Sequence, residues 1–188
     1  MSNSRIEQWD QRYRAGEQDF DVPSPLVVQF TRGLPAGSAL DVASGPGRNA
    51  LYLAQHGWRV RALDGSQVAI DLLLARARER NLAVDARAVD LEAGEIEIEQ
   101  DAFHLVLSCY YFQRSLIPRM QAGLRPGGLL IMIVHLADAD QPQGTPARAY
   151  PGELLTFFDG WRILHYREGN PAESCHRHGV AELVAERS

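Results

Sequence analysis

The sequence predicts a doubly wound α/β sheet of seven strands, largely parallel and ending in an antiparallel pair. Three observations carry this. Strand-like apolar runs alternate with helix-periodic segments over most of the chain. Two of the runs, 102-AFHLVLS-108 and 129-LLIMIV-134, are apolar with little alternation, as strands are when both faces of a parallel sheet are covered. The last two runs, 161-WRILHY-166 and 179-GVAELVA-185, have no helix between them; a parallel pair would need a long crossover, so they are antiparallel neighbours.

Taken in order, the elements follow from local patterns. Ser4 and Glu7 have capping-box spacing, and Ile6, Trp9 and Tyr13 then share one face of a first helix. Ser24-Pro25 opens a second helix through Leu26, Val27 and Phe30, with Gly33 as its stop. The stretch 39-ALDVASGPGRNALYLAQHG-57 is a strand ending at Asp41-Val42, a bend through two glycines, and a helix that starts near Arg48 and stops at Gly57. Strand 59-RVRALD-64 is followed by a helix that Ser66 begins and that carries Ile70, Leu73, Leu74 and Ala77 on one face. Strand 83-AVDARAV-89 runs to Asp90, and 92-EAGEIEIEQD-101 is too acidic for a buried strand and reads as a surface loop. The fourth strand, a helix over 115-SLIPRMQAGL-124, the turn Arg125-Pro126-Gly127-Gly128 and the fifth strand follow, then a helix near 151-PGELLTFF-158 and the final pair.

Composition sets the limits. A chain of 188 residues with 45% hydrophobic content suits one domain, 1–188, with residues 1–33 as an N-terminal helical lid segment and 38–188 as the α/β core. The net charge of −5 and dispersed basic residues exclude the electrostatic footprint of a nucleic-acid binder. No apolar run is long enough for a membrane span, no signal-peptide core follows Met1, and Cys109 and Cys175 make no disulfide framework. The expected protein is cytoplasmic, a monomer or weak homodimer, with a small-molecule ligand and no nucleic-acid or membrane partner. All 19 basic residues are arginine, which rules out Schiff-base lysine chemistry, a P-loop lysine and a Tyr-x-x-x-Lys dehydrogenase pair.

The glycine bend is where chemistry is concentrated. In an open parallel sheet, ligands sit beyond the carboxyl ends of the strands. Gly45 and Gly47 lie at that edge, where the lack of a side chain lets backbone approach a ligand and the next helix aims its free N–H groups. Asp64 ends the second strand, where a carboxylate can accept from both ribose hydroxyls, and Asp90 ends the third. With Asp41 they make an acidic rim that suits a nucleoside with a cationic or neutral tail. The run Gly45-Pro46-Gly47-Arg48-Asn49-Ala50 also fits G-x-G-x-x-A, so a dinucleotide site is a rival, but a carboxylate just before the first glycine would repel pyrophosphate.

The order Asp41-Val-Ala-Ser-Gly45-Pro-Gly47-Arg-Asn49, Asp64, Asp90-Leu91 and 124-LRPGG-128 resembles class I S-adenosylmethionine-dependent methyltransferases. Trp9 and Tyr13, the Gly-Arg-Asn end of the glycine loop, Gly152-Glu153-Leu154 and Cys175-His176-Arg177 are similar, more narrowly, to the tellurite-resistance methyltransferase group. The resemblance implies a Rossmann-like seven-stranded sheet, mostly parallel with the last strand antiparallel and helices on both faces. It implies S-adenosylmethionine as cofactor, Asp64 on its ribose, Asp90 and Leu91 near adenine, and the glycine loop along its methionine portion. Ala43 stands where that family usually has glycine, and His104 where aspartate is common, on the opposite edge of the sheet. The cofactor-side candidates are thus Trp9, Tyr13, Asp41, Ala43, Gly45, Gly47, Arg48, Asn49, Asp64, Gly65, Asp90, Leu91 and Ser108.

A sulfonium methyl is already activated, so transfer depends on positioning and water exclusion, and a strong general base is optional. The loop 167-REGNPAESCHRH-178 leaves the carboxyl edge of the sixth strand, which brings His176 and Arg177 to the acceptor side together with Asp138. The fourth strand delivers Cys109, Tyr110 and Tyr111 to the same edge and the fifth His135. Blander readings stand beside these. Asp41 either contacts cofactor or only holds the loop, and Trp9 and Tyr13 either pack the first helix or line a lid. Cys175-His176-x-His178, close ligands without a distant partner, reads as a polar loop with no metal. Two functions remain: methylation of a small acceptor such as a metalloid oxyanion (tellurite or selenite) or a thiol, or a non-catalytic S-adenosylmethionine-binding module or regulator.

Overall fold

The structure, a computed structural model, describes residues 2–17, 21–93, 96–138, 145–173 and 178–188, with the side chains of residues 2–4 left aside. Its strands are β1 (Ser38–Val42), β2 (Arg59–Asp64), β3 (Val84–Ala88), β4 (Phe103–Cys109), β5 (Leu124–His135), β6 (Arg162–Gly169) and β7 (Val180–Glu186). They form one sheet in the order β3-β2-β1-β4-β5-β7-β6. The helices are α1 (Ser2–Arg14), α2 (Pro25–Thr31), α3 (Arg48–Gln55), α4 (Gln67–Glu79) and α5 (Ile117–Gly123). The doubly wound sheet expected from the sequence is therefore present, with seven strands at the expected places. The chain divides into two compact units, one of residues 1–24 and 33–97, the other of residues 25–32 and 98–188.

In the first unit β1, β2 and β3 are parallel, with Asp41 opposite Ala62 and Asp64 opposite Ala88. Ala39, Leu40, Asp41 and Val42 are all buried, and since successive side chains point to opposite faces, both faces of β1 are covered. Helix α3 packs on β1, β2 and β3, α4 on β2 and β3, and α1 on α4. Ser66 caps α4 as its sequence predicts, its hydroxyl accepting from the Ala69 N–H at 3.0 Å. Gly47 precedes α3 at φ 87°, and a Cβ there would run into Leu73 of α4. Gly47→Ala therefore adds left-handed strain to overpacking and is expected to destabilise by about 2 kcal/mol. A thermal melt checks this; an unchanged midpoint would mean that α4 yields freely at Leu73.

In the second unit β4 and β5 are parallel, Leu105 pairing with Leu129 through Cys109 with Ile133. Strand β7 lies between β5 and β6 and is antiparallel to both. Its residues Val180 to Ala185 are buried, including Glu182, which accepts from Arg167 at 2.6 Å. Pro25 opens α2, and Gly33, at φ 83°, follows its end.

Boundaries differ in places. Helix α1 begins at Ser2, so Ser4 lies inside its first turn and is not its cap. The expected helix over 115–124 is a 3-10 turn, Arg114–Leu116, followed by α5, whose start carries Pro118. Strand β5 begins at Leu124 instead of 129, because Leu124 pairs with Phe103 before the register shifts. The helix expected near 151–158 is a single 3-10 stretch, Glu153–Phe157, entered from Gly152 in a left-handed conformation. Residues 96–99 form no strand, as the acidity of that segment predicts.

Candidate functional site

Two buried carboxylates meet the glycine bend within the first unit. Asp64, at the end of β2, is 8% exposed, and its two oxygens accept from Gly45 N–H and Ser66 N–H, each at 2.8 Å. The bend and the start of α4 are thereby fixed to one side chain. Burial raises the Asp64 carboxyl above the usual range, while the N–H groups of Ser66, Gly45 and Gly65 oppose that shift. Asp41, inside β1, is 1% exposed. It accepts from the Ala50 N–H in the first turn of α3, and its Oδ2 has no hydrogen-bond partner among the described residues. Burial, and secondly the charge of Asp64, push its carboxyl up to about 8 against the pull of Arg48.

Helix α1 lies over this bend. A Cβ on Gly45, which has φ 53°, would sit 3.2 Å from the Tyr13 hydroxyl, and one on Gly65 3.2 Å from Ile6. A side chain at Gly45 would press on the Tyr13 hydroxyl, and one at Gly47 would collide with Leu73. Asp10, one turn before Tyr13, accepts from the Ser66 hydroxyl. Burial and then Asp64 push the Tyr13 phenol up, so it stays protonated as a donor. Trp9 stacks on Tyr13 with centroids 5.7 Å apart and carries Arg12 over its ring at 4.9 Å. Asp10 was missed in the sequence; its signal was the face that Ile6, Trp9 and Tyr13 already define.

The remaining cofactor-side candidates of this unit divide into two groups. Asp90 folds onto its own turn, its Oδ1 accepting from Glu92 N–H and Ala93 N–H, and Leu91 is buried beside it. Arg5 of α1 reaches the same turn by pairing with Glu92 at 2.5 Å. Arg48 donates to Ser24 Oγ at 3.0 Å, and Asn49 Oδ1 accepts from Ser24 N–H at 2.9 Å, so both side chains pin the segment before α2. Ala43 has φ 58°, the left-handed region in which glycine is at ease; this is the physical sense of the family's usual glycine there.

In the second unit, Ser108 is buried at the end of β4, its hydroxyl 3.4 Å from the Tyr111 carbonyl, and Cys109 is half-buried. Tyr110 is held at φ 64° and donates to Glu173 at 2.7 Å. Asp138 pairs with Arg148 at 2.5 Å and with His178 Nδ1 at 3.0 Å, and Arg148 donates to His178 Nε2 at 3.0 Å. These contacts, His178 first, hold the Asp138 carboxyl below its usual range. His135 stacks edge-on to His178 at 6.0 Å. Cys175, His176 and Arg177 lie outside the described residues. His104, at the start of β4, is 2.7 Å from Arg125. The sequence also missed the clamp of Arg114 on buried Glu153, bidentate at 2.5 and 2.8 Å. No group of three or more His, Cys, Asp or Glu among the described residues is arranged to hold a metal ion, and no described helix is long and apolar enough to cross a membrane.

An orphaned buried carboxylate oxygen and a carboxylate at the end of β2 bonded to the glycine bend fit a nucleoside that carries positive charge. The comparisons agree in kind. The family described as Tellurite resistance protein TehB matches residues 11–178. Hemagglutinin 1 of Eikenella corrodens is 31% identical over 135 residues, covering 69% of this chain and 45% of that protein. A protein of Haemophilus influenzae strain 10810 named probable S-adenosyl-L-methionine-dependent methyltransferase TehB is 26% identical over 148 residues, 76% of this chain and 52% of that one. The chain thus spans about half the length of these relatives. The crystal structure of TehB from Haemophilus influenzae superposes with a TM-score of 0.77 at 20% identity, covering 95% of this chain and 67% of that one, and shares its fold. The match over residues 11–178 makes this chain a member of the family described as Tellurite resistance protein TehB.

Proposed function

We propose that the protein transfers a methyl group from S-adenosylmethionine to a small-molecule acceptor. The observation that carries this is Asp64, a buried carboxylate at the end of β2 that is bonded to the glycine bend through Gly45 N–H. Its lone pair not used by Gly45, Ser66 and Gly65 is available to a ribose hydroxyl, and the second carboxylate beside it favours a cation over a pyrophosphate. The family and its relatives named as methyltransferases support the same reading.

When bound, the cofactor supplies an activated methyl that an acceptor takes by direct displacement. The chain's part is to bind, orient and exclude water. Asp64 and Gly45 fix the ribose end, Asp41 faces positive charge, and α1 covers the bend with Tyr13 and Ile6. The acceptor we propose is a metalloid oxyanion or a thiol, a class supported by the family's link to tellurite resistance. Arginine and histidine suit an anionic acceptor, which keeps His176 and Arg177 as candidates, with Asp138 orienting His178.

The test is an acceptor screen that measures S-adenosylhomocysteine release, run beside calorimetry with S-adenosylmethionine and NAD. Cofactor-dependent release with a metalloid oxyanion or a thiol is the expected result. Binding of the cofactor with no release across the acceptor panel would convert the reading to a binding module, and tighter binding of NAD would overturn it.

A further inference from the structure

We propose that Asp41 stores a proton in the free protein and gives it up to solvent when a cationic group of the cofactor enters the site. The inference rests on the cofactor reading above and deepens it. Its basis is geometric. Asp41 is buried on the strand next to that of Asp64, with Asp41 opposite Ala62 and Asp64 two residues further along β2. One Asp41 oxygen takes the Ala50 N–H; Oδ2 is enclosed with no partner among the described residues.

The groups that face this pair are few. From α3 comes Arg48, whose guanidinium reaches Ser24 Oγ at 3.0 Å and the Val22 carbonyl at 3.5 Å. From α1 come Tyr13, a protonated donor, and Asp10, a third acid that acts on Asp64. Negative charge therefore outweighs positive charge around Asp41, and two adjacent buried carboxylates disfavour both being ionised. Burial and Asp64 together push Asp41 up to about 8, which leaves it mostly protonated at neutral pH. Among the described residues neither protonation state is satisfied: an ionised Oδ2 lacks a donor, and a protonated one lacks an acceptor. A ligand cation resolves this by replacing the proton: the O–H bond of Oδ2 breaks, its electrons stay on oxygen, and the proton passes to buffer.

Two cations are available on S-adenosylmethionine, the sulfonium and the α-ammonium, and S-adenosylhomocysteine keeps only the second. The experiment is calorimetric titration of the full chain with each ligand at pH 7 in buffers of different ionisation enthalpy, for the parent and for Asp41→Asn. The parent should release close to one proton with S-adenosylmethionine, and Asp41→Asn close to none. Release with both ligands identifies the ammonium as the group read, release with S-adenosylmethionine alone identifies the sulfonium, and either supports the proposal. No release with S-adenosylmethionine, or undiminished release in Asp41→Asn, overturns it. A parent that binds neither ligand overturns the cofactor reading itself, so the two failures are distinguishable.

The parent alone gives a second readout that does not depend on the variant folding. Affinity should rise about tenfold between pH 6 and pH 7, because below the free-state value every binding event has to expel a proton. A flat affinity over that range also overturns the proposal.

Discussion

Asp64→Ala is expected to lower the affinity for S-adenosylmethionine by about tenfold to a hundredfold. Of the carboxylate's roughly four acceptor sites the N–H groups of Gly45, Ser66 and Gly65 take three, which leaves the ribose one charge-assisted hydrogen bond worth roughly 1.5–3 kcal/mol, or about one to two decades in dissociation constant. The structure adds a second loss that the sequence did not indicate. Gly45 N–H and Ser66 N–H both donate to Asp64, so its removal frees the glycine bend and the start of α4 together. Asp64→Asn separates the two effects. An amide oxygen still accepts one backbone N–H, so this variant should hold its thermal midpoint better than Asp64→Ala while still binding the cofactor weakly. Calorimetry and a thermal melt of both variants check this. A dissociation constant unchanged in folded Asp64→Ala would remove Asp64 from the ribose.

Glu153→Ala lowers stability by about 3 kcal/mol and the thermal midpoint by roughly 10 °C. Glu153 is buried and accepts from three donors: Arg114 Nε at 2.5 Å, Arg114 Nη2 at 2.8 Å and the Tyr150 N–H at 2.9 Å. Arg114 in turn donates to the carbonyls of Thr145 and Arg148 and lies over the Phe112 ring at 4.6 Å. Removing the acid alone leaves a half-buried guanidinium and a backbone N–H without their acceptor. Removing both charges, as Arg114→Met with Glu153→Leu, leaves no such charge and should cost less than Glu153→Ala alone. A double variant at least as damaged as the single one would show that the contacts of Arg114 with residues 145–148, and not the ion pair, hold this segment.

Much of the architecture could be read from the sequence, because the residues that announce it act locally. Apolar runs such as 129–134 tolerate only a covered strand, Ser66 can cap only the helix that follows it, and Gly47 marks a bend in any context. The errors fall where tertiary pairing decides. Strand β5 extends back to Leu124 because β4 offers Phe103 as a partner, which no window of sequence contains. The segment after Pro151 tightens to a 3-10 stretch where Glu153 is claimed by Arg114, 39 residues away in the chain. In the candidate site the carboxylates were legible from their strand ends. The N–H groups that Asp64 and Asp41 accept were not, and those contacts turn an acidic rim into a fixed cradle. Arg48 and Asn49 illustrate the reverse: residues in the motif whose side chains serve the segment before α2.

The placement of β7 bears on how the second unit is made. Among the described residues β6 pairs in the sheet with β7 alone, and β7 also covers the edge of β5, so this part of the sheet closes only when residues 180–186 are in place. Without β7 the edge of β5 is apolar and unpaired, the feature that most readily recruits another chain. A chain cut before residue 180 should therefore aggregate where the full chain stays monodisperse, a difference that light scattering reads.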